Sequence, residues 1–175
     1  MRDDNLPTPP LPGPPQGLPE GRFAGPSEFA ALIRTGFAAA AREGWRDIII
    51  SDATFEDWPL GERAVAESLH AWSRSGRRLT MLAANYDAVV RRHARFVTWR
   101  RTWAHIVDCR GNSALAASDF PSAFWSPAWV FHRLDLDRST GMSGAEPARR
   151  VRLKEQLSEC LLKSSPAFPA TTLGI

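Results

Sequence analysis

The chain has 175 residues, 23% of them charged, and a formal net charge of +3, which suits one domain with a real core rather than a disordered polyelectrolyte. No stretch approaches the roughly 20 apolar residues that cross a bilayer, and Asp3 and Asp4 follow Arg2 with no apolar leader segment behind them. A membrane span and a secretory leader are therefore not expected, the expected setting is cytoplasmic, and Cys109 and Cys160, which form no CxxC pair, are read as reduced thiols.

Met1 to Pro26 holds eight prolines and four glycines. Proline fixes φ and lacks a backbone donor, so this arm is expected to be extended or disordered, with residues 27–175 forming a single α/β domain. Its PxxP spacings, Pro7-Pro10, Pro9-Pro12 and Pro12-Pro15, also suit aromatic grooves on other proteins. Ser27 is a candidate N-cap, and Phe29, Leu32, Ile33, Phe37, Ala40 and Ala41 follow helical spacing up to a stop at Gly44.

An alternating block follows. The apolar run Asp47 to Ser51 reads as a strand buried on both faces. Asp52 to Pro59 is an acidic turn, Gly61 to Ser75 a helix, and Leu79 to Ala83 a second strand. A long helix from Tyr86 to Trp103 leads to a third strand, His105 to Cys109. Strand, helix, strand, helix, strand is the signature of a parallel sheet with crossover helices. Gly111 to Ser122 and Asp135 to Glu146 read as loops, and Phe124 to Leu134, which contains Pro127, as an edge strand or irregular segment. Pro147 opens a last helix running to about Leu162, and the tail Ala167 to Ile175 is apolar enough to pack back. The expected fold is thus a small three-layer α/β sandwich with a mostly parallel sheet of three to five strands.

Ligands of open parallel sheets bind beyond the carboxyl ends of the strands. Asp52, Asp57 and Asp108 lie at or near such ends and are the candidate catalytic residues of a metal-dependent phosphoryl-transfer or nuclease-like enzyme, with Asp52 and Asp108 as ligands of Mg²⁺. Asp and Asn are also the usual turn and cap residues, which is the simpler reading. Residues 91–110 carry six arginines against Asp108 alone. Arg91, Arg92, Arg95 and Arg101, interleaved with Phe96, Trp99 and Trp103, are candidates for contacts to nucleic acid. A high-GC bacterial genome explains the arginine bias equally well, since lysine occurs only at Lys154 and Lys163. Seven tryptophans and nine phenylalanines exceed what so small a core needs, so Trp125, Trp129 and Phe131 are candidates for a protein interface.

Other motifs are weaker. Asp135, Asp137, Ser139 and Glu146 match an EF-hand loop, but Thr140 stands where the turn glycine belongs. His70, His93, His105 and His132 have no metal spacing, and Gly141-Met-Ser143-Gly-Ala breaks the nucleophile elbow at its last position.

From Phe29 to Arg110 the order of helix, strand, acidic turn with Trp58-Pro59, helix, strand and basic helix with Arg91-Arg92-His93 resembles a non-catalytic phospholipase-D-like half-domain in small bacterial proteins. The catalytic versions need His-x-Lys-x4-Asp. Here the residues two after each histidine are Trp72, Arg95, Val107 and Leu134, so no catalytic residue carries over. The resemblance implies an α/β fold and a non-enzymatic role. The leading expectation is a cytoplasmic binding or regulatory module with a protein partner and no cofactor. The metal enzyme and the nucleic-acid binder stand as alternatives, and nothing in the sequence sets an oligomeric state.

Overall fold

The computed structural model describes residues 17–170. The PxxP segments and the end of the tail fall outside that range. In chain order the elements are β1 Gly21–Ala24, α1 Pro26–Glu43, β2 Asp47–Ser51, α2 Arg63–Ser73, β3 Arg78–Ala83, α3 Asp87–Arg92 and α4 Ala94–Thr102. After these come β4 Val107–Gly111, β5 Ser122–Trp125, β6 Val130–Asp135, β7 Thr140–Gly144, α5 Pro147–Leu162 and β8 Ser165–Pro166.

The fold class is α/β, but the sheet is larger and differently connected than expected. Among the described residues its eight strands run β1-β7-β6-β5-β2-β3-β4-β8. Only β2–β3 and β3–β4 pair in parallel, and these are the alternating block of the sequence. Every other pairing is antiparallel, so the sheet is mixed and mostly antiparallel. The segment 124–134, expected as an edge strand or irregular, belongs to two interior strands. Ser126 closes their turn by accepting the Trp129 N–H at 2.9 Å, and Pro127 sits in that turn, where its missing donor costs nothing. The expected loop Asp135 to Glu146 is the β6–β7 hairpin. The Asp135 carboxylate accepts the Arg138 N–H at 3.0 Å, so the calcium-like spacing is a turn. Gly141 is required there, because a Cβ would lie 2.0 Å from the His132 carbonyl oxygen.

The proline-rich arm ends earlier than residue 26. Gly21–Ala24 pairs with β7 as the edge strand, and the Pro19 carbonyl accepts the Trp129 Nε1–H at 2.9 Å. α1 starts at Pro26 after Gly25, in place of a Ser27 cap, and ends on left-handed Gly44 as expected. The expected long helix 86–103 is broken at His93, whose ring bonds the Phe55 carbonyl at 2.8 Å and pins the break to the loop after β2.

One face of the sheet, with α1, α2, α3 and α4, encloses the main core, built around Phe29, Phe37, Trp58, Trp72, Phe124, Trp129 and Phe131. The other face carries α5, which sets Leu153 and Leu157 against Ile49, Ala123, Trp125 and Val130. A sheet this wide uses its aromatics internally. Trp129 and Phe131 are fully buried and Trp125 nearly so. The surface patch expected at these residues is therefore core.

Candidate functional site

The two ends of the parallel strands differ in charge. At the carboxyl end of β2, Asp52 is buried. One of its oxygens accepts the Thr54 and Phe55 N–H groups at 3.2 and 2.8 Å. The other meets Arg133 Nη2 at 3.0 Å. Arg133 projects from β6 with its side chain 3% exposed, bonds both oxygens of half-exposed Asp57, donates Nε–H to Ser122 Oγ and lies 3.9 Å over the Phe29 ring. A buried guanidinium needs this many acceptors, because each missing one would leave a desolvated donor. Asp52 and Asp57 thus converge on an arginine, and a cation would have to displace it.

Asp108 is not part of this cluster. It lies in register with Thr80, which lies in register with Ile49, so it is three residues back from Asp52 and two strands across. Strand geometry puts the two Cα atoms about 14 Å apart. Among the described residues no group of three or more His, Cys, Asp or Glu side chains gathers to hold a metal.

Most of the other arginines at this end are engaged too. Arg92 pairs with Glu56 at 2.9 Å, and Arg95 donates to the Gly61 carbonyl at 2.9 Å. Arg34 grips Glu62 through two 2.7 Å bonds and holds that carboxyl below its ordinary range. Arg91 is exposed and reaches only the Asp87 carbonyl, at 3.4 Å.

The amino end of the same strands is different. Arg46 precedes β2. Arg77 and Arg78 enter β3 and donate their backbone N–H groups to the Arg46 carbonyl at 2.8 and 3.1 Å. Arg74 caps α2, and Arg101 lies in the last turn of α4. All five are exposed, and among the described residues none has a carboxylate within 4.0 Å. Trp103, half-buried where α4 turns toward β4, stands between His70 of α2 and His105, with ring centroids at 6.1 and 5.9 Å. Its Nε1 has no partner among the described residues.

Helix polarity accounts for part of this charge. α1, α2 and α4 all end here, each presenting about half a negative charge at its C-terminus. Those dipoles and Asp47 together offset about 2.5 of the five positive charges, while Glu43 is matched by Arg42 at 3.4 Å. A net positive end remains. Of the four arginines singled out from the sequence, Arg101 alone lies in it. Arg46, Arg74, Arg77 and Arg78 went unremarked as a group, although a basic residue directly before each of two apolar runs is a visible signal.

No protein-family model matches the chain, and no curated protein matches it. Among solved structures the fold is similar to that of TrmBL2, described as an archaeal chromatin protein with a novel mode of DNA binding. The TM-score is 0.61 at 13% identity, over 85% of this chain and 54% of that one. The likeness establishes the fold, and the chain spans about half the length of TrmBL2. No helix among the described residues is long and apolar enough to cross a membrane.

Proposed function

We propose that the domain is a non-catalytic nucleic-acid-binding module, and that its contact surface is the amino end of β2, β3 and β4. The observation that carries this reading is the set of five exposed arginines without acidic partners, Arg46, Arg74, Arg77, Arg78 and Arg101, around the half-buried Trp103. Guanidinium groups free of carboxylates are available to phosphates, and a partly exposed indole offers a face on which a base can stack. The fold that the chain shares with a DNA-binding chromatin protein supports this reading. So does the phospholipase-D-like resemblance of residues 29–110, which implies the absence of catalysis.

The test is fluorescence anisotropy of labelled double- and single-stranded DNA across a series of salt concentrations. The logarithm of the binding constant should fall linearly with the logarithm of salt, with a slope of about 0.9 per duplex phosphate contacted. Arg77→Ala with Arg78→Ala should lower that slope by about 2 and weaken binding by about 10- to 100-fold at low salt. Arg91→Ala with Arg95→Ala should leave both nearly unchanged. Equal losses in the two double variants, or binding indifferent to salt, would reject the surface.

A further inference from the structure

Arg100 is an anomaly that the nucleic-acid surface does not use. It sits on α4 between exposed Thr98 and Arg101 in sequence, yet it is only 7% exposed. Its Nη2 donates to the Phe168 carbonyl at 3.3 Å, while Nε and Nη1 have no partner among the described residues. Buried guanidinium groups are ordinarily matched by a carboxylate, as Arg133 is here, because an uncompensated buried charge costs several kcal/mol.

The acidic groups nearest Arg100 cannot supply that charge. Burial pushes the Cys109 thiol up to about 11, with Arg100 pulling the other way, so the thiol is neutral at pH 7. Burial also raises the Tyr86 hydroxyl, which donates to the Arg110 carbonyl at 2.7 Å. Asp108 alternates on β4 with Val107 and Cys109, whose side chains join the main core, so its own side chain points to the α5 face.

Arg100 lines a cleft of about 350 Å³ together with Val107, Asp108, Cys109, Pro166, Ala167 and Pro169, and Asp108 is the one acidic residue of that lining. The outer wall is the segment after α5. It is tied down by two-residue β8, by the Ala167 N–H on the Cys109 carbonyl at 2.9 Å and by Phe168 stacked 5.0 Å from Tyr86. A wall held this lightly can shift by the small distance that opens Nε and Nη1 to an occupant.

We infer that this cleft is a binding site for a small anion carrying a carboxylate or phosphate group, with Arg100 as its charge partner and Cys109 at its wall. The ligand supplies the acceptor that the described residues leave out.

Thermal melting in Tris chloride, with phosphate and citrate titrated separately against chloride of equal ionic strength, tests the assignment and distinguishes the two chemistries. The wild-type protein should show a saturable rise of about 4 °C with at least one of them. Arg100→Met should melt at or above wild type without added anion and should not respond to it, since removing an unmatched buried charge relieves desolvation. Alkylation of Cys109 in the wild-type protein, followed by peptide mass analysis, should slow over the same anion range. Arg77→Ala with Arg78→Ala should keep the full response, which separates this site from the nucleic-acid surface. No response beyond the ionic-strength control, an equal response in Arg100→Met, or Cys109 alkylation unaffected by anion would overturn the proposal.

Discussion

The carboxyl and amino ends of the parallel strands carry the same residue type to opposite effect. At the carboxyl end most of the arginines are consumed, Arg133 by Asp52 and Asp57, Arg92 by Glu56, Arg34 by Glu62 and Arg95 by a carbonyl, and exposed Arg91 is the exception. At the amino end Arg46, Arg74, Arg77, Arg78 and Arg101 meet solvent with no carboxylate within 4.0 Å among the described residues, although Asp47 is the register neighbour of Arg78. Arginine count therefore says little about binding. What matters is whether the loop facing the arginine supplies carboxylates, as the loop after β2 does for Arg133, Arg92 and Arg34. The end where parallel-sheet ligands usually bind has its charges matched by its own ion pairs, around a cavity of about 310 Å³ lined by Asp52, Asp57 and Arg133, and the end usually left to structure is the one with charge to spare.

The sharpest way to break this contrast is at Arg133. Arg133→Ala leaves Asp52 buried with half of its acceptor capacity unmatched, and should cost about 3–5 kcal/mol in urea unfolding. Asp57→Asn should cost only about 1 kcal/mol, since that side chain is 54% exposed. A loss below about 1 kcal/mol in Arg133→Ala would mean that water reaches Asp52 and that the carboxyl end is more open than its hydrogen bonds imply.

The contrast was half legible in the sequence. The β2–α2–β3–β4 unit was readable because strands buried on both faces must be continuous apolar runs, and Ile48-Ile49-Ile50 and Leu79 to Ala83 are such runs. The antiparallel half was not. β5 has four residues, β7 reads Thr-Gly-Met-Ser-Gly, and β1 sits inside a proline- and glycine-rich arm, so none carries a periodic signal long enough to count. The break at His93 involves neither glycine nor proline, and a tertiary bond to Phe55 fixes it. The Arg133–Asp52 pair joins residues 81 apart, through β6, which the sequence offered only as part of an edge strand or irregular segment. The aromatic residues misled for the same reason: a sheet taken to have three to five strands has no room for them, and one of eight does.

At the amino end the expected effects on stability are small and those on binding larger. Arg74→Ala and Arg101→Ala should each change unfolding free energy by no more than about 0.5 kcal/mol, as surface changes do. Each should lower the salt slope of DNA binding by about 1. If Arg74→Ala destabilises the fold by more than 1 kcal/mol without altering the slope, its role is to cap the negative end of α2, and the contact surface shrinks to the loops before β2 and β3.

The smallest expected effect bears most directly on the contrast. Glu56→Gln frees Arg92 from its one carboxylate, and both side chains of that pair are more than half exposed, 58% for Arg92 and 53% for Glu56. An exposed ion pair contributes about 0–1 kcal/mol, so the melting temperature should barely move. The variant gains a free arginine at the carboxyl end and one unit of net positive charge. If binding depended on overall charge, affinity for DNA at low salt should rise by about as much as it falls in Arg101→Ala. If binding is confined to the amino end, the salt slope should stay as in wild type, because a charge at the opposite end of the strands, beyond a Debye length of about 10 Å at 0.1 M salt, makes no phosphate contact.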